Sequence, residues 1–88
     1  MQEFTDDSGA AWIATAREEQ TPRHHTRWFL VFHPVGDERR VYPLGEVRWQ
    51  TAATASRTLR TMSTFELRRR LKTALRRAGR RAALVENG

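Results

Sequence analysis

Three histidines are the residues of this chain best suited to metal binding or proton transfer. They are His24, His25 and His33, and there is no cysteine. Adjacent side chains on an extended segment point to opposite sides, so His24 and His25 cannot both bind one metal ion. Neither a third histidine nor a carboxylate lies near them at a spacing typical of metal ligands. We therefore predict no metal site, no cofactor and no catalytic histidine.

The carboxylates occur as neighbouring pairs, Asp6-Asp7, Glu18-Glu19 and Asp37-Glu38. Each pair lies beside residues typical of turns or loops, where carboxylates are ordinarily solvated. The five glycines are isolated, so the chain has no glycine-rich phosphate loop. Catalysis needs a nucleophile or an acid–base pair held in a pocket. We therefore predict that the protein has no catalytic residues and is not an enzyme.

Positive charge is concentrated towards the C-terminus. The chain has a net charge of +6, and residues 64–81 contain eight basic residues against one acidic residue, Glu66. The rest of the chain is therefore close to neutral. A basic block of this kind favours phosphates, anionic lipid head groups or an acidic protein surface as its partner. The eight predicted partner-binding residues are Arg68, Arg69, Arg70, Lys72, Arg76, Arg77, Arg80 and Arg81.

Turn-forming residues and alternating apolar residues in the first half predict an antiparallel β-meander. A tight turn is expected at residues 6–9, because Asp6 caps such a turn and Gly9 supplies positive φ. Residues 18–26 lack apolar periodicity and are predicted to form a loop, and a second turn is expected at 34–37. The predicted strands are 2–6, 10–17, 27–33 and 39–42, the last of them ended by Pro43.

One or two helices are predicted in the second half. Residues 44–51 fit either a strand or a helix. Ser63 and Glu66 form a capping box that starts the last helix. Leucines and alanines at helical spacing then give this helix one apolar face, and Gly79 fits the position after its end. The predicted segments are a short alanine-rich helix at 52–60, an amphipathic Arg-rich helix at 64–78 and a tail at 79–88.

This order of elements predicts an α+β fold in a single domain spanning 1–88. A small antiparallel meander of about four strands would precede the helices, and the last helix would pack its apolar face on the sheet. Apolar residues in the strand at 27–33 point to both sides, so one sheet face is left without a secure cover. We expect exposed aromatic residues to anchor a partner, and the candidates are Trp12, Phe29 and Trp49.

Two binding functions fit this pattern. The first is an assembly or docking subunit that binds a larger protein complex at an anionic membrane surface, where each basic residue contributes ~1 kcal/mol. The second is a nucleic-acid-binding module that contacts phosphates, with helices at 52–60 and 64–78 arranged like a helix-turn-helix. Residues 64–81 contain no Asn or Gln suited to reading bases, so any DNA binding is expected to be mainly electrostatic and steeply salt-dependent. A basic face that is merely solvated is the third interpretation.

No segment of the sequence predicts export or membrane insertion. Residues 1–7 are acidic, and no apolar stretch follows them. The longest apolar run, 28–32, is far shorter than the ~20 residues of a membrane span. We therefore expect a cytoplasmic protein, which could attach peripherally to the cytoplasmic face of the inner membrane.

Residues 3–9 have the sequence EFTDDSG and are followed by Trp12. This segment resembles the hairpin that opens a group of small uncharacterised bacterial proteins. The short Arg-rich chain is also similar to the membrane-extrinsic accessory subunits of bacterial photosynthetic reaction-centre–light-harvesting complexes. Such subunits hold the reaction centre within its antenna ring by protein contacts and carry no pigment. The resemblance implies an accessory subunit of this kind, and it assigns no functional residue.

Overall fold

The computed structural model describes residues 1–19 and 27–86, with side chains as far as Arg80. Four strands come first and two helices follow, so the predicted α+β fold is confirmed. The elements are β1 (Gln2–Thr5), β2 (Ala11–Glu19), β3 (Arg27–Pro34), β4 (Tyr42–Trp49), α1 (Ala52–Thr61) and α2 (Thr64–Glu86).

The four strands form one antiparallel meander in the order β1-β2-β3-β4. Gly9 and Gly36 have φ values of 88° and 87°, which residues with a Cβ rarely adopt, and they permit tight turns after β1 and β3. β2 continues as far as Glu19, so the predicted loop does not begin at residue 18. The rest of that loop, 20–26, lies outside the described residues.

The fourth strand starts later and extends further than the sequence indicates. We predicted a short strand at 39–42 ended by Pro43, whereas the observed strand is Tyr42–Trp49. Pro43 lies inside it, opposite Val31 of β3. β4 is an edge strand, and a proline whose missing N–H points away from the neighbouring strand breaks no hydrogen bond of the sheet. The prediction that Pro43 ends the strand is therefore wrong.

A register shift interrupts β4 after Leu44. Leu44 pairs with Leu30, but Phe29, which precedes Leu30 in β3, pairs with Arg48. Residues 45–47 are therefore extra on the β4 side, and such bulges bend and twist an edge strand. The ambiguous segment 44–51 is thus mainly an irregular strand rather than a helix.

Both helices begin with side-chain caps. Thr51 caps α1, because its hydroxyl accepts a hydrogen bond of 3.1 Å from the Thr54 amide. Ser63 caps α2 in the same way, accepting from the Glu66 amide at 3.1 Å. Each cap satisfies one of the amides that a helix start leaves without a partner.

The second helix is longer than expected. Gly79 was predicted to follow its last residue, yet α2 continues to Glu86. Gly79 does not adopt the positive φ of a helix-ending glycine. A glycine inside a helix costs about 1 kcal/mol relative to alanine, which the good helix formers on either side can offset. The predicted tail at 79–88 is therefore helical as far as Glu86.

Both helices pack on the same face of the sheet. Their buried leucines meet an aromatic surface in which Phe4 and Phe32 lie edge to face, with 5.9 Å between ring centroids. Burial of this apolar surface is the main stabilising contribution in a fold of this size. The core cluster consists of Phe4, Trp12, Ala14, Leu30, Phe32, Leu44, Leu59, Leu67, Leu71 and Ala74.

The side chains on the other face of the sheet do not belong to this core cluster. Alternation along the strands directs a second apolar set to it, and no helix of the described chain packs there. Val31 lies at its centre and is only 1% exposed, while its neighbours are half-buried. We call this surface the open face, meaning only that no helix of the described chain packs on it. Its apolar and aromatic members are Ile13, Phe29, Val31, His33 and Pro43.

The leucine stripe of α2 should carry a large part of the stability. Leu71 is 1% exposed in the core cluster, so Leu71→Ala should lower the free energy of unfolding by about 2–5 kcal/mol. Phe65 lies on the same helix but is 78% exposed, so Phe65→Ala should change it by less than about 0.5 kcal/mol. Urea unfolding followed by tryptophan fluorescence measures both. Equal effects would show that α2 does not pack as described.

Candidate functional site

One side of α2 presents an aromatic ring and several guanidinium groups away from the sheet. Phe65, Arg69, Arg76 and Arg80 follow one another at intervals of four, seven and four residues, a spacing that places them on one side of a helix. All four are exposed. We call these four residues the outer stripe. Its length from Phe65 to Arg80 is about 22 Å at 1.5 Å per residue.

The arginines of the outer stripe differ in how far they are neutralised within the molecule. Arg69 lies 3.8 Å from the Glu66 carboxylate. Arg76 donates a long hydrogen bond of 3.4 Å to the Thr73 hydroxyl, and neither it nor Arg80 has a carboxylate partner among the described side chains. Thr73, Arg76 and Arg80 line a shallow groove together with Arg77. Converging guanidinium groups of this kind suit carboxylate or phosphate oxygens.

Arg68 and Lys72 instead attach α2 to the β1–β2 hairpin. Arg68 donates from Nε to the Thr5 carbonyl at 2.7 Å and from a terminal nitrogen to the Thr5 hydroxyl at 3.1 Å. The Lys72 ammonium lies 2.6 Å from the Asp7 carboxylate, and its hydrogen bond lowers the pKa of Asp7. We call these four residues the hairpin clamp. Its contacts hold α2 in position and take two cations out of the predicted binding site.

Two further arginines are also engaged within the molecule. Arg77 forms an ion pair of 3.0 Å with Glu46 of β4, at the edge of the sheet opposite the hairpin clamp. Arg70 pairs with Glu66 one turn earlier in α2, at 2.9 Å. The Glu66 carboxylate therefore accepts a hydrogen bond from Arg70, while the Glu66 backbone amide donates to the Ser63 hydroxyl of the helix cap.

The structure thus divides the predicted cationic site instead of bringing all its members together. Part of it forms the outer stripe, and part is paired with acidic or polar groups of the same molecule. The outward group is Arg69, Arg76 and Arg80, the internally paired group is Arg68, Arg70, Lys72 and Arg77, and the side chain of Arg81 lies outside the described residues.

The three predicted aromatic anchors do not lie on one surface. Trp12 is 8% exposed and packs edge to face on Tyr42, so the expectation of an exposed anchor at this position is wrong. Its place opposite Phe4 in the hairpin turns it towards the helices. Trp49 is half-buried against the core cluster, so it is not an exposed anchor either. Phe29 is half-buried on the open face, on the opposite side of the sheet from the helices.

Phe65 is the exposed aromatic residue that the sequence analysis overlooked. It lies within the capping segment of α2 and is 78% exposed. Its spacing of four residues from Arg69 is the signal that could have identified it. An aromatic ring beside arginines is a composition typical of interface hot spots.

Asp6 organises the hairpin that the clamp holds. One carboxylate oxygen accepts from the Ser8 amide at 2.9 Å, the Ser8 hydroxyl at 2.7 Å and the Ala10 amide at 2.9 Å. The other accepts from the Trp12 indole N–H at 2.8 Å. These hydrogen bonds, led by that of the Ser8 side chain, lower the pKa of Asp6 to about 2. The sequence of the hairpin turn is therefore explained by the fold.

Comparison with known proteins gives no relative. No family model matches the chain, no curated protein matches it, and no solved structure matches it. Within residues 1–19 and 27–86, no helix is both long and apolar enough to cross a membrane. The same residues contain no group of three or more His, Asp or Glu side chains placed to hold a metal ion.

Removal of the Asp6 carboxylate should loosen the hairpin. Asp6→Ala leaves four donors without their acceptor, so we expect a lower melting temperature at neutral pH. Because the pKa of Asp6 is about 2 in the folded chain and 3.8 ordinarily, the wild-type protein should lose this stabilisation as pH falls from about 4 to about 2.

Asp37→Ala is the matched control, because Asp37 also caps a turn but accepts only one long hydrogen bond, 3.3 Å from the Arg39 amide. Thermal unfolding by circular dichroism between pH 2 and pH 7 compares the three proteins. The Asp6 variant should show a weaker acid dependence than the other two. Identical acid profiles would contradict this role for Asp6.

Proposed function

We propose that this protein is a non-enzymatic docking subunit that binds a larger protein assembly through the outer stripe of α2. The observation that carries the proposal is the orientation of Arg76 and Arg80, which face outwards without a carboxylate partner among the described side chains. Their neighbours along the helix pair with acidic groups of the same molecule. The outward cations therefore remain for an external anionic surface.

The attachment of α2 supports this role. The hairpin clamp and the Arg77–Glu46 ion pair lie on different strands, so α2 is held along its length against both edges of the sheet. Exposed ion pairs are individually worth only about 0–1 kcal/mol, and the buried leucine stripe does most of the holding. A stripe fixed in this way meets a partner without a large ordering cost, which is the benefit of preorganisation.

The chemistry of the stripe favours a protein surface with carboxylates. Arginine binds carboxylates through two parallel hydrogen bonds, and Phe65 at one end adds an apolar contact. Arginine and aromatic residues are enriched at the energetic centres of protein interfaces. An amphipathic helix that inserts into lipid would need its apolar face free, but Leu67 and Leu71 of α2 are buried in the core.

The resemblance of the chain to accessory subunits suggests one such assembly. A bacterial photosynthetic reaction-centre–light-harvesting complex would place the protein peripherally on the cytoplasmic face of the inner membrane. There the outer stripe could also approach anionic head groups, each basic residue adding about 1 kcal/mol. We propose this complex as the first partner to test.

Nucleic acid is the alternative partner. α1 and α2 are joined by only Met62 and Ser63, as in a short helix-turn-helix connection. Arginines alone would contact phosphates without reading bases, so such binding would weaken steeply with added salt.

A matched pair of charge reversals tests the docking proposal. Arg76→Glu with Arg80→Glu removes the unpaired end of the outer stripe, whereas Arg39→Glu with Arg57→Glu makes the same change in net charge at exposed positions elsewhere. Tagged proteins should be incubated with purified photosynthetic complexes and native membranes. We expect the stripe variant to lose at least about tenfold in affinity, a change of about 1.4 kcal/mol, and the control to bind like wild type.

Two further binding experiments test lipid and nucleic acid as alternative partners. Anionic vesicles and a short DNA duplex are titrated with the same three proteins over a range of salt concentrations. Equal loss of binding in both double variants would show that only net charge matters and would refute a specific stripe. Binding of duplex DNA alone, with a steep salt dependence, would replace docking by the nucleic-acid function.

A further inference from the structure

The second strand is longer than the first, and the difference leaves part of its edge without a neighbour. β2 spans Ala11–Glu19, whereas β1 spans Gln2–Thr5 and pairs with β2 only as far as Ala14. Beyond that point, no strand of the described chain lies beside β2 on the side of β1. We call the edge formed by residues 15–19 on this side the β2 step.

The direction of each backbone group in β2 follows from hydrogen bonds at the adjoining turns. The Asp6 amide donates to the Ala10 carbonyl at 2.9 Å, and the Val35 amide donates to the Ala11 carbonyl at 3.1 Å. Residues of an inner antiparallel strand bond alternately to one neighbouring strand and to the other. The even-numbered residues of β2 therefore direct their N–H and C=O groups towards β1, and the odd-numbered residues direct theirs towards β3.

Ala16 and Glu18 consequently direct their backbone groups to the β2 step. Their two N–H and two C=O groups have no hydrogen-bond partner among residues 1–19 and 27–86. Backbone donors and acceptors are strong hydrogen-bonding groups, and an unpaired row of them is a template for another strand. One antiparallel strand satisfies all four groups, because each residue opposite contributes both an N–H and a C=O.

The outer edges of the sheet have features that hinder strand addition, whereas the β2 step has none in the described strands. At β1, Arg68 donates to the outward Thr5 carbonyl at 2.7 Å. At β4, Pro43 has no N–H to offer and a bulge follows Leu44. Covering side chains, prolines and bulges are the means by which proteins protect sheet edges. Residues 15–19 contain no proline, and they pair with β3 without a register shift.

A small pocket lies beside the β2 step on the helix side of the sheet. Its volume is about 120 Å³, and it is lined by Ala16 and Trp28 of the sheet and by Ala52, Ser56 and Leu59 of α1. Side chains directly opposite each other on paired strands point to the same face of a sheet. A side chain opposite Ala16 therefore enters this pocket, whose lining suits an aliphatic group.

The charges at the β2 step indicate the other side chains of a matching strand. Arg17 and Glu18 are exposed, and neither has an ion-pair partner among the described side chains. Opposite charges attract when they lie directly across an antiparallel pair. A matching strand therefore has a basic residue opposite Glu18, then an acidic residue opposite Arg17, then an aliphatic residue opposite Ala16.

A second copy of this chain does not meet these requirements. The two-fold register that uses all four backbone groups pairs Ala16 of one copy with Glu18 of the other. It places the two Arg17 side chains directly opposite each other, where like charges are destabilising. It also presents a carboxylate to the pocket instead of an aliphatic side chain.

We propose that the β2 step binds an extended segment of a partner protein, which joins the sheet as an antiparallel strand in line with β1. The segment has a basic, an acidic and an aliphatic residue in succession. In strand addition, main-chain hydrogen bonds give affinity and alternate side chains give specificity. The inference does not depend on the proposed docking function, which uses the outer stripe of α2.

Amide hydrogen exchange measured by NMR tests the edge itself. In the free protein, the Ala16 and Glu18 amides should exchange at least about tenfold faster than those of Trp12 and Ala14, which β1 covers. Equal protection in dilute protein would show that this chain covers its own edge. Protection that appears only with rising protein concentration would show a second copy there. Either result would overturn the proposal.

A synthetic peptide tests the partner chemistry. The probe is acetyl-Thr-Lys-Glu-Val-amide, titrated into isotope-labelled protein and expected to bind weakly, with shifts at the Ala16 and Glu18 amides. N-methylation of its Lys and Val amides removes the two donors that face β2 and should abolish these shifts. N-methylation of its Glu amide, which faces away from β2, should preserve them. Absence of binding by the unmodified peptide, or equal binding of all three peptides, would refute strand addition.

A proline variant tests the same hydrogen bonds from the side of the protein. Glu18→Pro removes an N–H that points to the β2 step and not to β3, so circular dichroism should show a retained fold while peptide binding is lost. Glu18→Gln keeps this N–H and should weaken binding only a few-fold. Equal loss in both variants would show that charge alone attracts the peptide.

The Arg76→Glu, Arg80→Glu protein separates this inference from the docking proposal. It should bind the peptide like wild type, because neither arginine lies at the β2 step. Loss of peptide binding in this variant would overturn the assignment of the peptide to β2. Failure of wild type to bind photosynthetic complexes or membranes would leave the peptide result unchanged.

Discussion

The apolar residues of this sheet point to both of its faces, while the helices cover only one, and this constraint shapes the whole molecule. β3 lies between two neighbours and alternates Leu30 and Phe32 on one side with Phe29 and Val31 on the other. The described part of the chain has two helices, and both pack on the side of Leu30 and Phe32 because that side also receives the aromatic residues of β1 and β2. A small domain buries limited surface, and here most of it lies in the layer between the helices and one face of the sheet, while no helix of the described chain packs on the second face.

The second helix shows how one basic segment can serve two purposes. Arginines near the sheet edges find Thr5, Asp7 and Glu46, which lie on the first and last strands. On the far side of the helix, Arg76 and Arg80 have no carboxylate partner among the described side chains, and Arg69 is near only Glu66 of the same helix. Since α2 is held on the sheet by its leucines, helical periodicity alone decides which cation falls on which side. The charge of the segment is therefore partly structural and partly available for binding.

The sequence was sufficient for the order of elements and the helix starts, because these depend on local patterns. The alternation in β3 and the Ser63 cap involve neighbours in the chain, and both were recognised. Pro43 and Gly79 were misjudged because their outcome depends on tertiary context: an edge position tolerates the proline, and flanking helix formers tolerate the glycine. The pairs that Lys72 and Arg77 form could not be foreseen either, since Asp7 and Glu46 come near α2 only through the tertiary fold. The Arg70–Glu66 pair is local, at a spacing of four residues in one helix, and the sequence could have indicated it.

The N-terminal hairpin limits what a sequence resemblance can say about function. Three of its residues have structural roles within this chain: Asp6 accepts four hydrogen bonds, Gly9 takes a positive φ, and Trp12 packs in the core. A protein that shares this segment would be expected to share the hairpin and the packing beneath it. The outer stripe is made by other residues, which could change without disturbing the hairpin. The function must therefore be argued from the outer stripe, where side chains are exposed and do not belong to the core.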